Sequence, residues 1–174
     1  MRFLSESRQT PLHVAVDNNR ADVAELLIVN GASVSVVTQP NMDTPLHLAK
    51  SIELATVLFE SGASLEAQNA WLQTPLHCAC KSGHEELVQY LIRCGANMNA
   101  KDQQGRTSLH YCAAGNREAV AQFLVDAGCS VGEQDSEGVS ALALAELMAF
   151  QGVARVISAH QRLSSQQSVF SAEK

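Results

Sequence analysis

The chain has 174 residues, enough for one domain with a sizeable core and too few for a second full one. Hydrophobic residues make up 46% and aromatic residues 5%, so the composition is that of an ordinary globular protein whose core is built from Ala, Leu, Val and Ile. A formal charge of -6 without any long basic run removes the attraction that general phosphate-backbone binding needs, and nucleic acid is not an expected partner.

In chain order, residues 1–9 (MRFLSESRQ) contain too short an apolar run for a signal peptide and read as a loop lead-in without a clear N-terminal cap. From Thr10 the chain repeats itself. TPLH stands at Thr10–His13, Thr44–His47 and Thr74–His77, TSLH at Thr107–His110, and a worn copy, SALA, at Ser140–Ala143, with starts separated by 34, 30, 33 and 33 residues. Two positions after each His slot comes a small residue: Ala15, Ala49, Ala79, Cys112 and Ala145. A glycine followed by a small residue then trails in phase at Gly31, Gly62, Gly95 and Gly128.

Between these marks the apolar spacing is helical. Leu76 and Ala79 share one face, and Leu87, Val88, Leu91 and Ile92 follow the i, i+1, i+4, i+5 stripe of a second amphipathic helix. Val23, Ala24, Leu27 and Ile28 do the same in the first copy, and Val120, Ala121, Leu124 and Val125 in the fourth. Thr at the helix boundary can cap a free N–H, and Pro just inside it loses no bond. Each unit is therefore helix, tight turn, helix, polar loop, and no unit can bury both of its faces alone.

These motifs resemble the ankyrin repeat, over about residues 8 to 160. The resemblance implies an all-α repeat solenoid of helix-turn-helix repeats joined by β-hairpin-like loops, with repeats at about 10–43, 44–73, 74–106, 107–139 and 140–162 in a domain spanning 10–162. It also implies that His13, His47, His77 and His110 make structural hydrogen bonds between repeats rather than forming a catalytic or metal site. Gly83 falls at the turn between helices, where positive φ is expected, with Asn19 and Asn116 in the same slot. The second copy lacks three residues, which predicts a shortened first helix or turn. The fifth copy, with Gly152 inside its second helix, reads as a degenerate C-terminal cap. Residues 163–174, rich in Ser and Gln, are expected to form a flexible tail. The missing N-terminal cap suggests excision from a longer ankyrin protein or a first repeat that pairs with something.

No catalytic constellation stands in the sequence. HEELV at His84–Val88 starts like the zinc-protease helix but has Val88 at the second His position, and no GxSxG, GxGxxG, Walker-type loop or CxxC pair occurs. Cys78, Cys80, Cys94, Cys112 and Cys129 are read as reduced core fillers. On a helix Cys78 and Cys80 point about 200° apart, which does not suit one metal. Neither an enzyme, a cofactor nor a metal site is expected, and the chain is placed in the cytoplasm, with the nucleus as an alternative.

In ankyrin arrays the loop tips and the ends of the first helices are free to vary and line a groove, which the resemblance carries to this chain as a site for another protein. The positions are Val37, Thr38, Gln39 and Met42; Ala70, Trp71, Leu72 and Gln73; Gln103, Gln104 and Arg106; and Ser136 and Glu137 at the tips. On the first helices they are Asp17, Asn18, Lys81, Ser82, Ala114 and Gly115. Trp71, the single tryptophan, stands opposite Gln104 of the next loop, and Leu72 opposite Gly105. It is read either as an exposed binding anchor or as filler for the shortened second repeat. A partner peptide or domain, no membrane insertion and a monomeric state are expected. Asn99, with Leu91 eight residues before it, also matches the ankyrin loop position modified by asparaginyl hydroxylases.

Overall fold

The structure is a computed structural model and describes residues 9–172, with side chains to Leu163; residues 1–8 of the lead-in lie outside the described residues. Among them are α1 (Pro11–Asp17), α2 (Ala21–Val29), a 3-10 helix (Pro45–Leu48), α3 (Ile52–Glu60), α4 (Pro75–Ser82), α5 (Glu85–Arg93), α6 (Ser108–Ala114), α7 (Glu118–Asp126), α8 (Ala141–Leu147) and α9 (Gln151–Ala172). The helices stack in two rows. The first-helix row runs α1, the 3-10 helix, α4, α6 and α8, and the second-helix row runs α2, α3, α5, α7 and α9.

Four of the five first helices start the same way because a Thr and the His three residues on make a closed set of bonds, while α8 is capped by the Ser140 hydroxyl, which accepts from Ala143 N–H. The His77 Nδ1 accepts from the Thr74 N–H at 3.0 Å and lies 2.9 Å from the Thr74 hydroxyl, and the same pairings join Thr10 to His13, Thr44 to His47 and Thr107 to His110. With Nδ1 accepting, Nε2 carries the hydrogen and donates to the carbonyl just before the next repeat's boundary residue. These acceptors are Asp43 at 3.1 Å, Gln73 at 2.9 Å, Arg106 at 3.2 Å and Val139 at 3.1 Å, and the His77 hydrogen is shared with the Ala100 carbonyl at 3.0 Å. The four histidines are thus inter-repeat staples, and burial holds each below the ordinary imidazole pKa of 6.5.

Between the rows lies a continuous core. Leu12, Leu46, Leu76 and Leu109 come from the first helices, and Leu58, Leu91, Leu124 and Ile157 from the second. Each such side chain gains roughly 1.5–3 kcal/mol from burial. Second helices end on glycines in the left-handed region; at Gly95 (φ 98) the following Ala96 N–H reaches back to the Leu91 carbonyl at 3.0 Å. The inter-helix turn takes the left-handed residue at Asn19 (φ 53), Gly83 (φ 78) and Asn116 (φ 52), as the alignment of the repeats requires, and at Ala149 (φ 58) in the fifth repeat.

The second repeat absorbs its deletion in its first helix. The α-helix is reduced to a single 3-10 turn, Ala49 is already extended (φ -62, ψ 138), and the left-handed turn residue is gone. At the other end α9 continues as helical backbone to Ala172, where the sequence suggests a flexible tail from residue 163. Val153 and Ile157, both 0% exposed, anchor its start, and once nucleated a helix adds one bond per residue even through Ser and Gln.

The fourth repeat carries one local flaw. Ser108 takes the Pro slot, is 0% exposed, and its hydroxyl has no aligned partner, although the Cys80 thiol lies beside it. Ser108→Pro should raise the unfolding free energy by about 1 kcal/mol, because it removes a buried orphan hydroxyl and pre-sets the first helical φ. A denaturant titration checks it; a loss of stability would show that the hydroxyl has a bonding role.

Candidate protein-binding groove

The loops between repeats are short hairpin-like fingers. In all four a backbone bond closes the finger: Thr38 N–H to Asp43 at 2.9 Å, and Asn69 N–H to Gln73, Asp102 N–H to Arg106 and Asp135 N–H to Val139, each at 3.0 Å. The side chain at the finger's start shapes the turn. Asp102 Oδ1 accepts from the N–H groups of Gln104 and Arg106 at 2.9 Å each, and Asn69 and Asp135 serve their own turns similarly. In the first finger that role falls to Thr38, whose hydroxyl accepts from Asp43 N–H at 3.0 Å. Thr38 is therefore buried (5% exposed), contrary to its expected place at a solvated tip.

Fingers are also laced tip to tip. Ala70 N–H donates to the Asn41 carbonyl, Gln103 N–H to Trp71 and Ser136 N–H to Gln104, at 2.8–2.9 Å. The bonds pair Trp71 with Gln103, and they give Trp71 and Gln104 equivalent positions, each offering its carbonyl to the following finger. The residue before the last of each finger is left-handed throughout: Met42 (φ 59), Leu72 (φ 58), Gly105 (φ 75) and Gly138 (φ 79). Two fingers thus hold a bulky apolar residue where the other two hold glycine. Met42, Trp71 and Leu72 are 48%, 41% and 44% exposed.

Below the fingers, two depressions share Gln73 and Lys81. One, of about 490 Å3, is lined by Asn41, Asp43, Asn69, Trp71, Gln73, Cys78, Lys81 and Ser82. The other, of about 350 Å3, is lined by Gln73, Lys81, Arg106, His110, Tyr111, Ala114 and Gly115. The fold therefore brings Trp71, Gln73, Lys81, Ser82, Arg106 and Ala114 together. Met42, Ala70, Leu72, Gln103 and Gln104 line neither depression and stand on exposed finger tips.

Sequence reasoning missed Cys78 and Tyr111. Both follow the motif histidine, so the signal was available: one position C-terminal to the His the helix faces the groove, and an aromatic there is conspicuous. The Tyr111 hydroxyl donates to Asp102 Oδ2 at 2.6 Å, accepts from Gln73 Nε2 at 2.5 Å, and lies 3.3 Å from Arg106 Nη2. Arg106 lies over the Tyr111 ring at 5.1 Å and bonds Asp102 Oδ2 and Gln104 Oε1. Burial and the Asp102 carboxylate push the Tyr111 phenol up to about 12. Burial likewise pushes the Cys78 thiol up to about 12, so it is a packing group and not a nucleophile. Among the described residues no cluster of three or more His, Cys, Asp or Glu side chains could hold a metal ion, and no helix is long and apolar enough to cross a membrane.

Asn99 is exposed on the loop after α5, and its side-chain carbonyl accepts from Ser130 N–H at 2.9 Å. Glu66, one repeat earlier, caps Asn97 N–H in the same way at 2.8 Å. The slot thus has a structural use in joining neighbouring loops.

Comparison with known proteins agrees with this architecture. A family model described as ankyrin repeats (3 copies) matches residues 1–69 and 50–135. Mouse Rabankyrin-5 is 38% identical over 95 residues, 47% of this chain and 8% of that protein. The Drosophila melanogaster transient receptor potential cation channel subfamily A member 1 is 31% identical over 96 residues, 51% of this chain and 8% of its own length. A probable E3 ubiquitin-protein ligase of rice, XBOS33, is 33% identical over 88 residues, 49% of this chain and 17% of its own length. The matched segment is thus a small fraction of each relative. From its stacked repeats, their histidine staples and the family match over most of its length, the chain belongs to the ankyrin-repeat family, whose repeats generally serve as non-catalytic modules of protein–protein interaction.

Proposed function

We propose that this chain, acting as a monomer in the cytoplasm or nucleus, binds an extended segment of another protein along the groove between its fingers and first helices. The observation that carries the reading is the pair of bulky apolar residues, Met42 and Leu72, held in left-handed conformation on the finger tips where the other two fingers hold Gly105 and Gly138. A non-glycine residue there costs roughly 1–2 kcal/mol, and Met42 and Leu72 bear that cost while standing exposed beside Trp71. Strain kept at solvent-facing apolar positions fits contact with a partner better than folding.

The test compares wild type with Trp71→Ala and Leu72→Gly in affinity capture. Trp71→Ala should lose its captured partners, while Leu72→Gly should weaken capture yet raise stability by about 1 kcal/mol by relieving the left-handed strain. Unchanged capture by both variants removes the groove as drawn. As the single tryptophan, Trp71 also reports directly: its emission should be red-shifted in the free protein and move to the blue on binding.

Two further readings go with this one. The relatives, of which the matched segments cover 8% to 17%, favour the array as the recognition segment of a larger ankyrin protein such as a ubiquitin-ligase adaptor, kinase or ion channel; a masking or inhibitory scaffold, which needs only these residues, is the alternative, and the full gene context distinguishes the two. Asn99, exposed on its loop, is a candidate for asparaginyl hydroxylation. Incubation with such an enzyme should add one oxygen by intact mass, mapped to Asn99 by fragmentation; an unchanged mass excludes it.

A further inference from the structure

We infer that the partner segment carries an aspartate or glutamate side chain that sits between Lys81 and Arg106, a few residues from an apolar side chain resting on Trp71. This rests on the proposed groove and names the chemistry it selects.

The argument is one of charge. The chain as a whole is acidic, with a net charge of -6. Yet the charged groups that line the two depressions, or bond to that lining, are three cations and two carboxylates. Both carboxylates are enclosed and engaged. Asp43 is 9% exposed and accepts from Asn69 Nδ2 at 2.9 Å, and Asp102 is 5% exposed and accepts from Tyr111 and Arg106. The cations differ. Lys81 is exposed at the last turn of α4 and has no ion pair among the described residues. Arg117 is exposed, with its Nε 3.4 Å from the Lys81 carbonyl.

Arg106 is held in place before any ligand arrives. Asp102, Gln104 and the Tyr111 ring fix its guanidinium, so little side-chain entropy is lost when it accepts a carboxylate. Three cations against two carboxylates leave one net positive charge. A carboxylate neutralises it, whereas a phosphate dianion overshoots it. Ala114 and Gly115 keep bulk off the floor beside Arg106, leaving room for a peptide backbone. The two depressions share Lys81, so an acidic side chain at Lys81 and an apolar one at Trp71 belong to one extended strand.

Random peptides displayed on phage and selected on the wild-type chain test this, with Lys81→Glu, Lys81→Met and Trp71→Ala as comparisons, each checked for helix content by circular dichroism. Because Lys81 is exposed, its variants should keep the fold. The expected result is an Asp or Glu at fixed spacing from an aromatic or branched apolar residue. Binding of those peptides should be about tenfold weaker to Lys81→Met and weaker still to Lys81→Glu. Peptides that depend on Trp71 but show no acidic preference, or that tighten when the acid is replaced by phosphoserine, overturn this inference and leave the groove standing. Failure to select any peptide, or indifference to both Trp71 and Lys81, overturns the groove and the inference together.

Discussion

Taking the protein from about pH 7.5 to about pH 5.5 is expected to lower its unfolding free energy by up to about 1.4 kcal/mol for each of four histidines, enough to unfold a marginal array. His13, His47, His77 and His110 are 0–5% exposed, and each has Nδ1 committed as an acceptor and Nε2 as a donor. Protonating Nδ1 would turn an acceptor that serves a Thr N–H into a second donor facing it. Burial therefore depresses the folded-state pKa, while the unfolded chain titrates near 6.5. The unfolded state then binds more protons than the folded one below about 6.5, so stability is complete above that pH. It falls as the pH drops toward the folded-state values. Denaturant midpoints measured across this range check the claim. A flat profile would mean that the histidines titrate equally in both states and are not staples.

Those staples were legible in the sequence, because a motif repeated at about 33 residues places each histidine in the same environment. The same regularity exposed the left-handed slots at Asn19, Gly83 and Asn116 and the shortening of the second repeat. What the repeat does not encode was harder to see. Gln73 and Tyr111 are 38 residues apart and meet only because neighbouring fingers stack, so their bond follows from tertiary register and not from local pattern. Thr38 looked like a tip residue because the first finger has one more residue between its closing partners, Thr38 and Asp43, than the 4-residue offset of Asn69 and Gln73. The helix through residue 172 was hidden for a different reason. Ser and Gln composition describes solubility, while the anchoring side chains Val153 and Ile157 lie upstream.

Asp102→Ala should lower stability by roughly 2–4 kcal/mol, and Asp102→Asn by only about 1 kcal/mol. The carboxylate takes four bonds: from the N–H groups of Gln104 and Arg106, from Arg106 Nε at 3.3 Å and from the Tyr111 hydroxyl at 2.6 Å. Alanine leaves both turn N–H groups, the half-buried Arg106 and the buried Tyr111 without that acceptor, so the third finger loses its shape along with its charge balance. Asparagine keeps one carbonyl oxygen for the two turn N–H groups, and the chain already demonstrates this arrangement one repeat earlier. Asn69 Oδ1 accepts from Trp71 and Gln73 N–H at 3.0 Å while its amide donates to Asp43. Burial opposes the charge on Asp102, but the hydrogen bonds from Tyr111 and the Arg106 and Gln104 amides, with the Arg106 charge, outweigh it and hold the group below the ordinary 3.8. Its contribution is therefore complete above about pH 4 and lost only as the pH falls further. Between about pH 7.5 and about pH 5.5 Asp102→Asn should therefore follow the wild-type profile or fall somewhat more steeply at its acid end, because the lost carboxylate charge no longer supports protonated His77 and His110. A larger loss for Asn than for Ala, or an Asn variant as unstable as Ala at about pH 7.5, would show that Asp102 serves charge rather than the shape of the turn.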